Sequence, residues 1–208
     1  RSGFGVEAVA RCFAVVREAA ARTVGKRHYD TQLHAGWLLV RGTLAEMATG
    51  EGKSFAATLP ACAAALAGLP VHVITVNDYL AARDADAMAP LYAFFGLRCG
   101  AIVHGMDRAA RRAVYAGDIA YCSNKELAFD YLRDRTALGD RASVLHRALA
   151  ALAGGRTAPD TVLRGLSFAI VDEADSVFVD EARTPLILSA TLDRGVDAAL
   201  IEWALARA

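Results

Sequence analysis

A glycine-rich run at residues 45–54, AEMATGEGKS, combines the groups that can hold a chain of phosphates. Glycines allow the tight turn in which successive N–H groups face phosphate oxygens, and the start of a following helix adds a positive dipole end. Lys53 can reach the β- and γ-phosphates of ATP, and the Ser54 hydroxyl can bind Mg²⁺. We therefore predict an ATP phosphate loop made of Thr49, Gly50, Glu51, Gly52, Lys53 and Ser54.

The loop departs at one position from the strict pattern GxxxxGK followed by Ser or Thr. Met47 stands where that pattern has its first glycine, whereas Gly50 supplies the extra glycine of a TGxGKS core. Such a core is typical of helicase-like motor ATPases. The alternative is a chance glycine-rich turn before a helix, but a predicted strand at 43–48 and a predicted helix at 52–67 favour the phosphate loop.

A second candidate motif lies where the apolar run 168–171 ends in Asp172-Glu173-Ala174-Asp175. The end of a strand delivers carboxylates to the edge of a parallel sheet, where ligands bind. We expect Asp172 to hold Mg²⁺ through water and Glu173 to orient or deprotonate the attacking water. A solvated acidic turn is the alternative to this interpretation. For Asp175, a structural role as a cap or an ion-pair partner is as compatible with the sequence as a functional role.

Short apolar runs alternate with helical segments along the chain, which predicts an α/β fold with a mainly parallel sheet and helices on both faces. Asn77, Asp107 and Ser123 stand at predicted N-caps. Strands are expected near 43–48, 71–76, 97–103, 118–122 and 166–171. Helices are expected near 6–22, 52–67, 78–95, 107–116 and 124–134.

Composition narrows the class of protein. The 208 residues are 55% hydrophobic, and 23 basic residues balance 23 acidic ones, so a dedicated nucleic-acid binder is disfavoured. The four cysteines form no CxxC pair, which argues against zinc and disulfides and favours a reducing, cytoplasmic compartment. The apolar stretch 55–76 is interrupted by Pro60 and a Gly68-Leu69-Pro70 break, so a helix, a turn and a buried strand fit better than a membrane span.

Four longer runs resemble the SecA family of preprotein-translocating ATPases. They are RHYDTQL at 27–33, TVNDYLAARD at 75–84, FDYLRD at 129–134 and ARTPLI at 182–187. They are spread over most of residues 8–189 and are far more specific than a general ATPase signature.

The resemblance implies a RecA-like P-loop NTPase domain of helicase superfamily 2. It implies that Gln32 binds adenine, with Tyr29 at the neighbouring aromatic position. It also implies that Lys53, Asp172 and Glu173 act in hydrolysis. In the family the nucleotide lies between this domain and a second RecA-like domain, absent here, which supplies arginine fingers. Residues 1–189 would then be the first nucleotide-binding domain, and residues 190–208 the start of the preprotein cross-linking domain.

The partners implied by the resemblance are the SecYEG channel, an unfolded preprotein and an anionic lipid surface. The implied location is the cytoplasmic side, peripherally associated with the inner face of the cell membrane. Some positions depart from the family pattern, among them Cys122-Ser123-Asn124 in place of Gly-Thr-Asn, and 135–165 looks longer than the family's link. These departures favour a divergent or accessory paralogue.

Two other functions compete with a translocase. A superfamily 2 RNA or DNA helicase would use the same nucleotide site, although the neutral charge and the 182–187 run speak against it. A nucleotide-binding regulatory module without hydrolysis would be expected to lack one of the three residues assigned to hydrolysis, Lys53, Asp172 and Glu173.

Two clusters of charged residues lie on predicted helices. Arg108, Arg111 and Arg112 form a small basic face, which is expected to be solvated. Asp130, Arg133 and Asp134 form either a coupling element or a surface ion-pair cluster.

Overall fold

The computed structural model describes residues 4–138 and 161–183. Its centre is a sheet of four parallel strands in the order β2-β3-β1-β4. The strands are β1 (Val71–Thr75), β2 (Cys99–Ile102), β3 (Ile119–Ser123) and β4 (Phe168–Val171). The helices are α1 (Val6–Thr23), α2 (Asp30–Val40), α3 (Lys53–Ala56), α4 (Thr58–Leu66), α5 (Asp78–Phe94), α6 (Arg108–Tyr115), α7 (Asn124–Leu138) and a short π-helix at Ser176–Asp180.

The sheet is covered on both faces, as the alternating pattern predicts. Successive side chains of a strand point to opposite faces, so Ile119 and Tyr121 of β3 join one core with α1, α4 and α5. Ala120 and Cys122 of the same strand join a second core with Ile102, α6 and α7. The predicted α/β class with a parallel sheet is therefore confirmed.

Four of the five predicted strands are present, but the strand predicted at 43–48 is wrong. These residues form an irregular segment, and none of them pairs with a strand in the part of the chain that the structure describes. Leu44 is 80% exposed, which explains the error, because an apolar side chain predicts a strand only when the segment finds a partner and a core. The phosphate loop is thus entered from irregular backbone.

The apolar stretch 55–76 forms helix, turn and strand as predicted, with a break inside the helical part. The predicted helix 52–67 divides at Ala57 into α3 and α4. Pro60 lies in the first turn of α4, where its missing N–H costs little. No described helix is long and apolar enough to cross a membrane.

The predicted caps of α5 and α6 are confirmed: the Asn77 and Asp107 side chains accept from the N–H of Leu80 and Ala110 at 2.9 Å and 2.7 Å. Ser123 Oγ accepts more weakly from the Glu126 N–H at 3.5 Å. Helix α2 was not among the helices expected from the sequence.

The basic face of α6 is not fully solvated, because the Arg111 side chain is only 5% exposed. Its guanidinium contacts Asp130 at 2.9 Å and Glu126 at 2.5 Å, and Tyr115 also donates to Asp130 at 3.0 Å. Asp134 accepts from the backbone N–H of residues 162 and 163. The acids of α7 therefore form an internal polar network, and the surface ion-pair alternative for Asp130 and Asp134 is wrong.

Candidate active site

The phosphate loop is a turn whose shape depends on two glycines. Gly50 and Gly52 have φ of 88° and 77°, left-handed values at which an L side chain is strained. The Glu51 N–H donates to the carbonyl of Ala48 at 3.3 Å, and the Glu51 carboxylate accepts from the N–H of Ala48 at 3.0 Å. Gly52 then accepts from the N–H of Phe55 and starts α3. Thr49 lies exposed within this turn.

The Gln32 side chain connects the loop to helix α2 by a hydrogen bond. Its amide Nε2 donates to the carbonyl of Glu51 at 2.8 Å, and its Oε1 accepts from the N–H of Tyr29 at 3.0 Å. A Cβ on Gly52 would lie 2.6 Å from Gln32 Nε2, so only glycine allows this approach. Gln32 is buried, whereas the Tyr29 ring is 73% exposed beside it. Of the two residues that the resemblance assigns to adenine, Gln32 therefore contacts the phosphate loop, and Tyr29 contacts Gln32.

His28 is a residue of this site that the sequence analysis missed. Its ring is fully buried and stacks on Phe55 with 3.8 Å between ring centroids. His28 Nε2 lies 3.1 Å from the carbonyl oxygen of Phe55 and 3.0 Å from Thr58 Oγ1. Since a carbonyl oxygen can only accept, Nε2 carries the proton and His28 Nδ1 is left without a partner among the described residues. His28 thus joins the segment before α2 to the helices after the phosphate loop.

Burial lowers the pKa of His28 from 6.5 to about 4, so the ring is neutral at pH 7. An unfolded chain binds this proton below pH 6.5 while the folded one does not, so acid should destabilise the fold through His28. Relative to pH 8, the expected loss at pH 5 is about 2 kcal/mol.

Replacing His28 with phenylalanine, which can still stack on Phe55, should remove this part of the pH dependence. Urea unfolding at pH 5 and pH 8 would measure it as the difference between parent and variant. His34→Phe, at an exposed histidine of α2, is the control and should keep the parental slope. Equal slopes for the parent and His28→Phe would contradict the assignment of His28 as a buried neutral ring.

The acidic motif meets the phosphate loop directly. Ser54 Oγ donates to Asp172 Oδ2 at 3.0 Å, although 118 positions separate the two residues. The backbone N–H of Asp172 donates to the carbonyl of Ile74 at 2.8 Å, which fixes the acid at the carboxyl end of the sheet. A hydroxyl and a carboxylate are the hard oxygen donors that Mg²⁺ prefers, so this pair fits that ion.

Glu173 adopts an unusual backbone conformation next to this pair. Its φ is 54°, and it is the one non-glycine residue with positive φ in the described ranges. A left-handed non-glycine residue costs on the order of 1–3 kcal/mol and persists only where neighbouring contacts hold it. The Glu173 N–H donates to Asp172 Oδ1 at 3.0 Å, and its side chain is exposed to solvent. The carboxylate is therefore accessible to water beside the phosphate loop.

Lys53 and Asp175, the other charged residues of the two motifs, differ in their surroundings. Lys53 is half-buried at the start of α3, and no hydrogen bond or ion pair of its ammonium occurs within residues 4–138 and 161–183. Asp175 precedes the π-helix without a side-chain capping bond, so the cap alternative for it is wrong. The structure thus brings Gln32, the phosphate loop and Asp172-Glu173 to one edge of the sheet.

Comparison with known proteins matches the same stretch of chain. A family model described as the SecA DEAD-like domain matches residues 5–206. The "Protein translocase subunit SecA 2" of Bordetella avium is 55% identical over 188 residues, which are 90% of this chain and 28% of that protein. The "Protein translocase subunit SecA 3" of Magnetococcus marinus is 48% identical over 209 aligned positions, which span 100% of this chain and 32% of that protein. The chain thus spans roughly a third of the length of such relatives.

Proposed function

This chain belongs to the SecA DEAD-like domain family, as its four sequence runs predict, and we propose on that premise that it is the ATP-hydrolysing motor domain of a protein translocase. The observation that carries the proposal is the contact between Ser54 and Asp172, since it joins the phosphate loop to the acidic motif. ATP is the proposed substrate, bound at the edge of the sheet where Gln32 and the loop meet.

Each residue has a distinct part in this proposal. Gln32 and Tyr29 bind the adenine, and the backbone of the turn formed by Thr49, Gly50, Glu51 and Gly52 binds the phosphates. Lys53 carries an ammonium without a described partner, so it can give its charge to the β- and γ-phosphates. Glu173 takes the proton of the attacking water, because its carboxylate is exposed and backbone contacts fix its position.

Ser54 and Asp172 would hold Mg²⁺ through their oxygens, with Asp172 acting through water. When bound, the ion neutralises charge that develops on the transferred phosphoryl group. Asp172 also orients the backbone of Glu173 by accepting its N–H, so the two acids have separate tasks.

The proposed motor needs parts outside this chain. A second RecA-like domain would close over the nucleotide and supply arginine fingers, so this chain by itself should hydrolyse ATP poorly. We propose residues 1–189 as the first nucleotide-binding domain and residues 190–208 as the start of the preprotein cross-linking domain. The second range lies outside the described residues.

We further propose that the whole protein acts at the cytoplasmic face of the cell membrane, with the SecYEG channel, an unfolded preprotein and anionic lipid as partners. The departures at 122–124 and 135–165 support an accessory member of the family. The relatives named SecA 2 and SecA 3 support the same proposal.

The ATPase rate of the full-length protein tests the proposal. It would be measured alone, with RNA, and with anionic vesicles that carry SecYEG and an unfolded preprotein. Stimulation by the vesicles and preprotein supports a translocase, whereas stimulation by RNA alone would overturn it in favour of a helicase. An unstimulated protein that binds ATP without turnover would instead be a regulatory module.

Lys53→Ala should lower kcat/KM for ATP roughly 10²-fold or more, because it removes the cation that faces the phosphates. Lys26→Ala removes the same charge from an exposed position and should leave kcat/KM unchanged. A Lys53→Ala protein with parental kcat/KM would disprove the phosphate-binding role of this lysine.

A further inference from the structure

The segment that carries Glu173 is tied down at its far end by another carboxylate. Glu181 accepts a hydrogen bond from Asn124 Nδ2 at 2.9 Å and an ion pair from Lys125 Nζ at 3.1 Å. Asn124 and Lys125 form the first turn of α7, directly after β3. One carboxylate therefore connects the chain that leaves β4 to the helix that leaves β3.

The intervening residues form a continuous hydrogen-bonded unit. The Val177 N–H donates to the carbonyl of Glu173 at 3.1 Å, and the Glu181 N–H donates to the carbonyl of Ser176 at 3.0 Å. Between these bonds lies the π-helix Ser176–Asp180. A displacement at Glu181 is thus transmitted to Glu173 by helical backbone and not absorbed by a loose loop.

The near end of the unit is held by weaker means. Asp172 is fixed to β1 through Ile74, but on that side Glu173 is held only by the hydrogen bond from its N–H to Asp172, while it holds a costly positive φ. Since the exposed Glu173 side chain has no described partner of its own, its direction depends on the backbone on both sides of it. The anchored far end supplies one of those two sides.

The anchor rests on a fixed part of the fold. Ser123 Oγ donates to Asp78 Oδ1 at 2.7 Å, and Asp78 Oδ2 accepts from the N–H of His104 at 2.6 Å, so the junction of β3 and α7 is bound to α5 and to the end of β2. Hydrogen bonds from Asn124 and Lys125 lower the pKa of Glu181. Glu181 therefore stays ionised at neutral pH, and the contact is lost only as the pH falls through that lowered value.

We propose that Glu181 is a positioning residue for Glu173, which it holds in place through Asn124 and Lys125. The inference rests on the proposed role of Glu173 as the residue that activates water. It assigns to Lys125 and Glu181 an effect on turnover but not on nucleotide binding, because neither residue contacts the phosphate loop. The turnover rate falls steeply when the base is loosely held, because small displacements of a catalytic group reduce the rate by large factors.

Charge reversal in the full-length protein tests the proposal. Glu181→Lys should lower kcat by about tenfold or more while the affinity for a fluorescent ADP analogue changes by less than about twofold. The double variant Lys125→Glu/Glu181→Lys restores an ion pair of opposite sense and should recover most of kcat. Glu7→Lys reverses a charge in an exposed ion pair of α1 and should change neither quantity.

Three results would overturn the proposal: a parental kcat in Glu181→Lys, an equal loss of kcat and ADP affinity, or no recovery in the double variant. If the reversed variant does not fold, Glu181→Gln decides the question, because it removes the charge but keeps the shape of the side chain. A thermal unfolding curve would establish that this variant is folded, and a parental kcat in the folded variant would overturn the proposal. The variant Glu173→Gln distinguishes failure of the proposed role of Glu173 from failure of the inference about Glu181. If it turns over normally, the proposed function of Glu173 fails. If it is inactive while Glu181→Lys is normal, only the inference about Glu181 fails.

Discussion

Glu173→Gln in the full-length protein should lower kcat by about 10²-fold or more and leave ATP binding intact. Glutamine keeps the size of the side chain and can still contact water, but it cannot take the proton from it. The residues that contact the nucleotide in the proposal, among them Gln32 and Lys53, are unchanged by this substitution. Steady-state turnover and equilibrium binding of an ATP analogue would measure the two effects separately.

Asp175→Asn is the matched control for this experiment. Asp175 lies two positions away on the same segment, is exposed, and makes no side-chain capping bond. Removal of its charge should change kcat by less than about twofold, because exposed charges contribute little and this carboxylate has no part in the proposed proton transfer. Normal turnover in Glu173→Gln would remove the role assigned to Glu173, and equal losses in both variants would show a general effect of charge at this edge.

Arg111→Ala should destabilise the domain by about 3–5 kcal/mol, because it leaves the buried carboxylates of Glu126 and Asp130 without their shared cation. Both acids are less than 10% exposed, and their Arg111 contacts are the short ones in the network. Thermal unfolding of the full-length protein, followed by a probe within this domain, would show the loss as a lower Tm.

Arg11→Ala serves as the comparison, since Arg11 belongs to an exposed ion pair with Glu7. Its loss should cost no more than about 1 kcal/mol. If Arg111→Ala were no more destabilising than Arg11→Ala, the network would not contribute to stability. The buried acids would then have to be satisfied in some other way.

Much of the candidate nucleotide site could be predicted because each of its parts is contiguous in sequence. The phosphate loop needs glycines at Gly50 and Gly52 for backbone geometry, and that requirement is visible in the residue types alone. The acids at the end of β4 follow from an apolar run that ends in carboxylates. The parallel sheet could be predicted from the alternation of strands and helices, because the spacing of apolar residues in each element reflects local backbone geometry.

The errors share one physical origin. At 43–48 the sequence is compatible with a strand, but a strand also needs a partner, which local pattern does not report. Arg111 was expected to be solvated because charged residues usually are, yet Glu126 and Asp130 on another helix satisfy it inside the protein. His28 gave no signal of its own, because its burial depends on Phe55 and Thr58 about 30 positions away.

The amino-acid sequence by itself determined the family, the α/β class and the residue types of the phosphate loop and the acidic motif. Only the tertiary structure decided that Ser54 meets Asp172, that His28 packs against Phe55 of α3, and that Glu181 is bound to α7. The reason is that residue type and period fix local geometry, whereas a hydrogen bond between distant segments exists only after the sheet has set their separation and orientation.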